Sequence, residues 1–504
     1  MAGKEHVVCM EGFFRREGDE TSSGVTEDAQ TYSISIESTT LEARIDAVME
    51  ARKNLTPSPA PKIQKVIFLL RDHKDFQTDY EPRAVSLGPI HHGGEKYKLG
   101  EKYKLMLTYE FVKGSKEMIN DLYKKIGEKI EELKECFDKE VIEGYKDVDL
   151  IWLLLVDGCA ILQYIDCAAN NSFEELKIKP DSLAFTQQDL FLLENQLPYR
   201  LLNWLMTWSA NEDKLRESID TFINRLVIVP PPDDQSAIFS WKWLSSLSWR
   251  CSQYAEKEKE ESLQSKAKRQ EDHIHLLDRL RTRLLDNHQR RNNPKKSNEK
   301  VQTWQSYRNV QELRAAGINV ERTKKKNSCF RDIDFTTLGC LGYLWLPPIT
   351  VDDSTMPMFL NLIAYEMCLD FQNDFAITSY IYFLDSLIDE PGDVKILRQA
   401  GILYNCLGSD NEVAQVFNEI GRDLVPNIEI YSDVKSKIQN LYKKQGRTWI
   451  AQVFHEHFSS PWTLTAFFGA LLVLALTITQ TWYTVDSSCD NLCKKLTPDK
   501  ICKS

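Results

Sequence analysis

The sequence predicts a mainly α-helical fold with a few short strands, an α+β class dominated by helix, with a single transmembrane helix near the C-terminus. Three observations carry this expectation. Ile119, Leu122, Ile126, Ile130, Leu133, Phe137 and Val141 recur every three or four residues with Lys and Glu between them, the period of an amphipathic helix. Short apolar runs at 66–70 and within 332–351 lie among Gly and Pro and have the length of strands. Residues 459–485 carry no charge at all, although charges fall every few residues before them.

Composition bounds the rest. A chain of 504 residues with 42% apolar and 27% charged residues has room for two or three ordinary domains with real cores. Its net charge of −11 argues against nucleic acid as a partner. The 12 cysteines are scattered singly, unlike a disulfide scaffold. Residues 1–20 carry Lys4, Glu5, Glu11, Arg15, Arg16 and Glu17 and lack an apolar core, so they are not a secretory signal.

In chain order, residues 1–37 are polar and aperiodic and read as a disordered leader. Residues 38–60 read as a short helix, opened by a Thr39/Glu42 capping box, and a linker punctuated by Pro57 and Pro59. A helical domain spans 61–458. Its loop at 82–94 holds His91 and His92, whose side chains point to opposite sides of an extended backbone and rarely share a metal ion. The apolar run 150–165 encloses Asp157 and Gly158, and a carboxylate there needs buried donors. A second apolar stretch, 189–208, reads as a helix that carries Glu194, Asn195 and Gln196 and kinks or restarts at Pro198.

Residues 233–300 read as a charged insertion, with Arg290, Arg291, Lys295 and Lys296 clustered; a solvated loop is the expectation, and a nuclear basic patch the competing one. Within it, Ile274, Leu277, Leu280 and Leu284 make a helical stripe. Gly317 reads as the residue ending a helix at Arg314, and Thr355 as the cap of a helix with Pro357 in its first turn. Helices follow at 379–388, at 394–404, behind a Ser409/Glu412 capping box, and at 432–458.

The uncharged run 459–485 opens with Pro461 and Trp462 and closes with Trp482 and Tyr483, an aromatic belt at each end. As a helix, 461–484 extends about 36 Å at ~1.5 Å per residue, enough to cross a hydrocarbon core of ~30 Å with tilt. Six threonines and Gln480 dilute it, so a buried core helix is the competing reading. The expected topology is a single-pass tail anchor in the plasma membrane or an endomembrane, with a polar tail at 486–504. Lysines flank the run on both sides, so the positive-inside rule gives no orientation.

No catalytic signature is present: there is no nucleophile elbow and no Walker loop, and His455 and His457 lack zinc-protease spacing. Cys489, Cys493 and Cys502 are a weak metal pattern, and no cofactor or metal site is expected.

Several stretches together resemble the plant DUF247 (UPF0481) family, over about 63–485. They are the loop Val85, Ser86, Leu87, Gly88, Pro89, Ile90, His91, His92; Asp157 with Gly158 and Cys159; and Asp189 through Glu194, Asn195, Gln196, Leu197 and Pro198. Others are His275 to Asp278, Glu312 to Arg314 with Gly317, Asn361 and Leu362 with Ala364 and Glu366, Pro461 with Trp462, and Gln480 with Thr481. Ala160, Gln163 and the Val66-Ile67 pair depart from the family pattern. The resemblance implies a plant protein with one C-terminal membrane span and no established enzymatic activity. Some grass members are candidates for reproductive self-incompatibility, which implies recognition of a protein partner; stress or defence is the other expected setting. The alternative from a different class is a membrane-anchored hydrolase using Glu194, Asp157 and His91 or His92.

Overall fold

A computed structural model describes residues 61–72, 74–173, 186–227, 273–285, 309–325, 328–339, 341–422, 424–443 and 461–495, together with four residues between 45 and 49. The chain divides into two units, Met1–Pro57 and Ser58–Ser504. In the first, 45–46 and 48–49 are helical and Ile45, Val48 and Met49 are exposed. The leader at 1–37, the Thr39/Glu42 box, most of the charged insertion, the basic cluster at 290–296, His455 to His457 and Cys502 lie outside the described residues.

The first half of the second unit is helical throughout. Its elements are α1 (Phe68–Arg71), α2 (Phe76–Tyr80), α3 (Lys98–Lys113), α4 (Ile119–Gly127), α5 (Ile130–Lys134), α6 (Lys139–Ile142), α7 (Asp147–Asn170), α8 (Tyr199–Trp208), α9 (Glu212–Val227) and α10 (Leu276–Leu285). Helix α7 is the axis, with α3, α4, α8 and α9 packed around it. From Leu150 to Ile165 it is buried on every face apart from exposed Trp152 and half-buried Gln163, so its apolar composition is that of a core helix. Gly158 lets α8 come close: a Cβ there would lie 2.6 Å from Leu205 Cδ1.

The second half is mixed. Helix α11 (Val310–Ala315) leads into β1 (Ile318–Arg322), β2 (Asp334–Leu338), β3 (Leu341–Leu346) and β4 (Ile349–Val351). Strand β3 is central, parallel to β1 with Val320 opposite Leu344, and antiparallel to β2 with Phe335 opposite Leu344. Then come α12 (Thr355–Glu366), α13 (Ala376–Asp385), α14 (Pro391–Gln399), β5 (Leu403–Asn405), α15 (Asp410–Ile420) and α16 (Ser432–Tyr442), with β5 parallel to β4. One continuous core of buried apolar residues, from Ile63 to Leu441, joins both halves.

The fold is helix-dominated with few strands, in the class the sequence predicts. Several local expectations are corrected. The long amphipathic helix at 119–141 is three pieces, α4 to α6, because the chain turns between α4 and α5 and again before α6. Residues 66–70 form no strand; Ile63 alone bridges to Phe137, and Phe68 starts a short helix. Of the stretch 189–208, residues 190–198 are a buried turn rather than helix, while a helix does start at Pro198, α8 beginning at Tyr199. Thr355 is the first residue of α12 rather than its cap, its hydroxyl held by Asp352. The helix expected at 394–404 stops at Gln399, and Leu403 enters a strand. Ser409 does cap α15 by accepting from Glu412 N, but the Glu412 carboxylate returns to Ser409 Oγ and Gly408 N. Gly317, at φ +78, does end α11.

The last element, α17 (Pro461–Lys495), is a helix of 35 residues. It begins with the uncharged run, but continues ten residues past the end expected at 485, through Cys489 and Cys493. Its described side chains from Phe468 to Thr484 are all exposed. Thr477, Thr479, Thr481 and Thr484 donate to carbonyls one turn back within the helix, so the hydroxyls need no outside partner. Among the described residues, the helix both long and apolar enough to cross a membrane is α7, which is mostly buried; the described apolar part of α17 is Phe468–Thr484.

Candidate functional site

The loop at 83–92 is irregular because Pro82 and Pro89 withhold amide donors and Gly88 adopts φ +67. Glycine is required at 88 twice over, since a Cβ would come within 2.8 Å of the Gln196 carbonyl oxygen. A buried loop leaves its backbone polar groups to be met by side chains. Asp189 accepts from the amides of Arg83 at 2.8 Å, Ala84 at 2.7 Å and Val85 at 2.8 Å. Asn195 accepts from Leu87 N at 2.6 Å and donates to Val85 O and Asp189 O. Asp157, on α7, accepts from Gly88 N at 2.8 Å through Oδ2.

The other oxygen of Asp157 receives Lys104 Nζ of α3 at 2.6 Å. Lys104 is itself buried and uses its remaining donors on Ser86 O at 2.8 Å and Glu101 at 2.7 Å. Burial pulls the Lys104 ammonium down, but Asp157 and Glu101 outweigh it and hold it above its usual value. Burial pushes the Asp157 carboxyl up, against the pull of Lys104 and the Gly88 amide. Asp189 is pushed by burial to about 6 in spite of its three amide donors.

Glu194 closes the other side of the loop. Its Oε1 accepts from Val66 N at 2.8 Å and Arg71 at 2.7 Å, and its Oε2 lies 3.1 Å from His91 Nε2. Burial raises its pKa, but His91, Arg71 and the Val66 amide together hold it below the usual carboxylate range. Gln196 donates to the carbonyls of Leu190 and Leu192 and accepts from Leu277 N at 3.1 Å, so the turn grips α10. Pro198, with no amide hydrogen, precedes Tyr199, whose amide reaches Ile274 O at 2.7 Å.

The network extends into the second half. Asn361 accepts from Leu193 N at 2.8 Å and donates to Asp79 O and Pro357 O. Glu366, fully buried, accepts from Arg281, Ile377 N, Thr378 N and the Thr378 hydroxyl. His275 caps α10 by accepting from Asp278 N through Nδ1 at 3.0 Å, and burial lowers its pKa to about 4.

The sequence-derived candidates therefore do not converge on one site. His91 and Glu194 meet; Asp157 is committed elsewhere, to Lys104 and Gly88; Gly158 serves helix packing; Asn195, Gln196 and Pro198 shape the turn. His92 faces outward, on an open depression of about 550 Å³ lined also by Glu143, Gly144, Tyr145, Asp149, Trp152 and Leu153. The hydrogen bonds on Asp157 and Glu194 hold backbone in place, which is positional rather than reactive work. Among the described residues no group of three His, Cys, Asp or Glu could hold a metal ion. Sequence reading missed Lys104 and Arg281, and named Asp189 only as the start of a motif. The buried carboxylate at 157 was the signal that a cation lay near, but nothing in the spacing marked which one.

These features define a helix-dominated domain knitted together by buried carboxylate and amide side chains reaching across long stretches of chain. The family model DUF247, described as a plant protein of unknown function, matches residues 63–476, and the chain belongs to that family. Among its relatives, a UPF0481 protein of Arabidopsis thaliana is 27% identical over 428 residues, covering 80% of this chain and 82% of its own length. A second, putative UPF0481 protein of the same plant is 22% identical over 489 residues, covering 83% of this chain and 89% of its own. No solved structure matches the chain.

Proposed function

We propose that this protein is a single-pass, membrane-anchored recognition module whose helical domain works by binding a protein partner, in signalling, defence or reproductive self-incompatibility. The observation that carries the membrane part is α17, whose described apolar side chains are exposed: Leu472 is 62% exposed and Trp482 72%. Soluble monomers rarely leave so large a continuous apolar surface in water. Trp462 near one end of the uncharged run and Trp482 with Tyr483 at the other suit two interfaces. The binding part is supported by the use made of the motif side chains: Asp157, Asp189, Glu194 and Glu366 each accept several structural hydrogen bonds. That commitment weighs against the hydrolase alternative, which needs a carboxylate free to move a proton.

Alkaline carbonate extraction of plant membranes tests the anchor. The full chain is expected in the pellet, and deletion of 459–485 is expected to release it; a full chain extracted by carbonate overturns the anchor. Protease protection in sealed vesicles then reports the side on which the domain lies. Glu194→Gln tests the binding reading: a hydrolytic turnover of the wild type that this substitution abolishes would replace binding by catalysis.

A further inference from the structure

The depression beside His92 is the outer face of the loop whose inner face forms the buried network. His91 turns in to Glu194, His92 turns out, and Tyr145 fixes the boundary by donating its hydroxyl to Pro89 O at 2.9 Å. Its walls hold one broad aromatic surface, Trp152, which is 48% exposed although it lies in the most deeply buried helix of the protein. Asp149 sits one turn before Trp152 on the same face of α7, and Glu143 faces them from the turn after α6, where Gly144 adopts φ +88. Neither carboxylate makes an ion pair within the described protein, and no Lys or Arg lines the depression. Lys146, between them in sequence, serves as the N-cap residue of α7 and is not part of the lining.

The geometry points to this depression as the docking site for an arginine side chain presented by a protein partner. The reasoning is charge complementarity joined to shape. A guanidinium is planar, stacks on an indole face and at the same time donates to carboxylates at its edge. Trp152 supplies the face, and Glu143 and Asp149 supply the acceptors. An exposed tryptophan in a concave site is also the residue type that most often anchors a protein interface. This proposal rests on the recognition reading above and gives it a place and a chemistry.

The test uses the full chain in lipid nanodiscs with fluorescently labelled Gly-Arg-Gly-Arg-Gly, its lysine counterpart and its glutamate counterpart, followed by fluorescence anisotropy. The arginine peptide is expected to bind most tightly, the lysine peptide more weakly and the glutamate peptide not at all. Trp152→Ala is expected to weaken the arginine peptide about tenfold, and Glu143→Gln with Asp149→Asn together by a similar factor, each about 1.4 kcal/mol. Tyr109→Ala, an exposed aromatic on α3 outside the depression, is the control and is expected to change nothing. Thermal unfolding checks that each variant is folded. Equal binding of the arginine and glutamate peptides, or undiminished binding by folded Trp152→Ala, overturns the site. Binding that survives loss of both carboxylates makes the depression an apolar site and also overturns the proposal. Carbonate extraction run in parallel separates the outcomes: a chain that is extracted yet binds the arginine peptide through Trp152 loses the anchor and keeps the docking site.

Discussion

Helices α7 and α17 are both long and apolar, yet α7 is mostly buried inside the domain while the described side chains of α17 from Phe468 to Thr484 are exposed. The difference lies in their polar residues. Helix α7 carries Asp157 and Asp166, and each has partners waiting: Lys104 and Gly88 for the first, Lys214, Ser218 and Asn170 for the second. Helix α17, between Pro461 and Thr484, carries no charge, and Thr477, Thr479, Thr481 and Thr484 bond back to their own helix. A charge in an apolar helix thus marks a protein interior that has built a site for it, whereas self-satisfied hydroxyls suit a helix without protein neighbours.

The same substitution in the two helices breaks the comparison most sharply. Leu155→Lys places an unpaired ammonium where exposure is 0%, and is expected to abolish folding, at a cost of roughly 5 kcal/mol or more against a typical stability of about 5–15. Leu474→Lys is expected to leave domain unfolding unchanged and to reduce membrane retention, by about 2.5–3.5 kcal/mol of insertion free energy. Next in size is Lys104→Met, which strands Asp157 and is expected to cost about 3–5 kcal/mol in urea unfolding. Lys104→Met with Asp157→Leu together is expected to recover only part of that loss, because the unpaired carboxylate is gone but the Gly88 amide and the Ser86 carbonyl lose their partners.

A smaller effect depends on pH. His275 titrates near 4 in the fold, below its ordinary 6.5, so the unfolded chain binds the proton more readily. Stability is therefore lost as pH falls through 6.5 towards 4, by about 2–3 kcal/mol at about 1.4 kcal/mol per unit. His275→Asn keeps an N-cap acceptor without the titration, so urea midpoints of the two proteins are expected to diverge as pH falls, wild type dropping further. The smallest expected cost is Gly88→Ala, about 1–3 kcal/mol from the positive φ and the approach to Gln196, read as a lowered melting temperature.

How much of this was legible follows from the same physics. The core helix at α7 and the strands near 334–351 were visible as apolar runs and turns. Helix α9 is legible too, in the helical spacing of Leu215, Ile219, Phe222 and Ile223. Helix α3 was not, because its pattern is inverted: Leu99, Leu105 and Tyr109 are exposed while Lys104 is buried. The 190–198 turn looked helical because its apolar content is high; what holds it as a turn includes side-chain hydrogen bonding of Asn195 to Val85 O and Leu87 N and of Gln196 to Leu277 N, distant in the chain, which no local period reports. The 276–285 stripe, counted within a charged insertion, is in fact a buried helix whose partners lie on both sides of the fold.

That helix has a consequence for how the molecule holds together. At one end α10 takes hold of the first half, through Gln196 to Leu277 N and Arg279 to Asp220; at the other it takes hold of the second, through Arg281 to Glu366 and Leu284 O to Phe330 N. It is a splice between two halves. Loosening α10 therefore opens both halves together, and the two are expected to unfold as one cooperative unit rather than in turn.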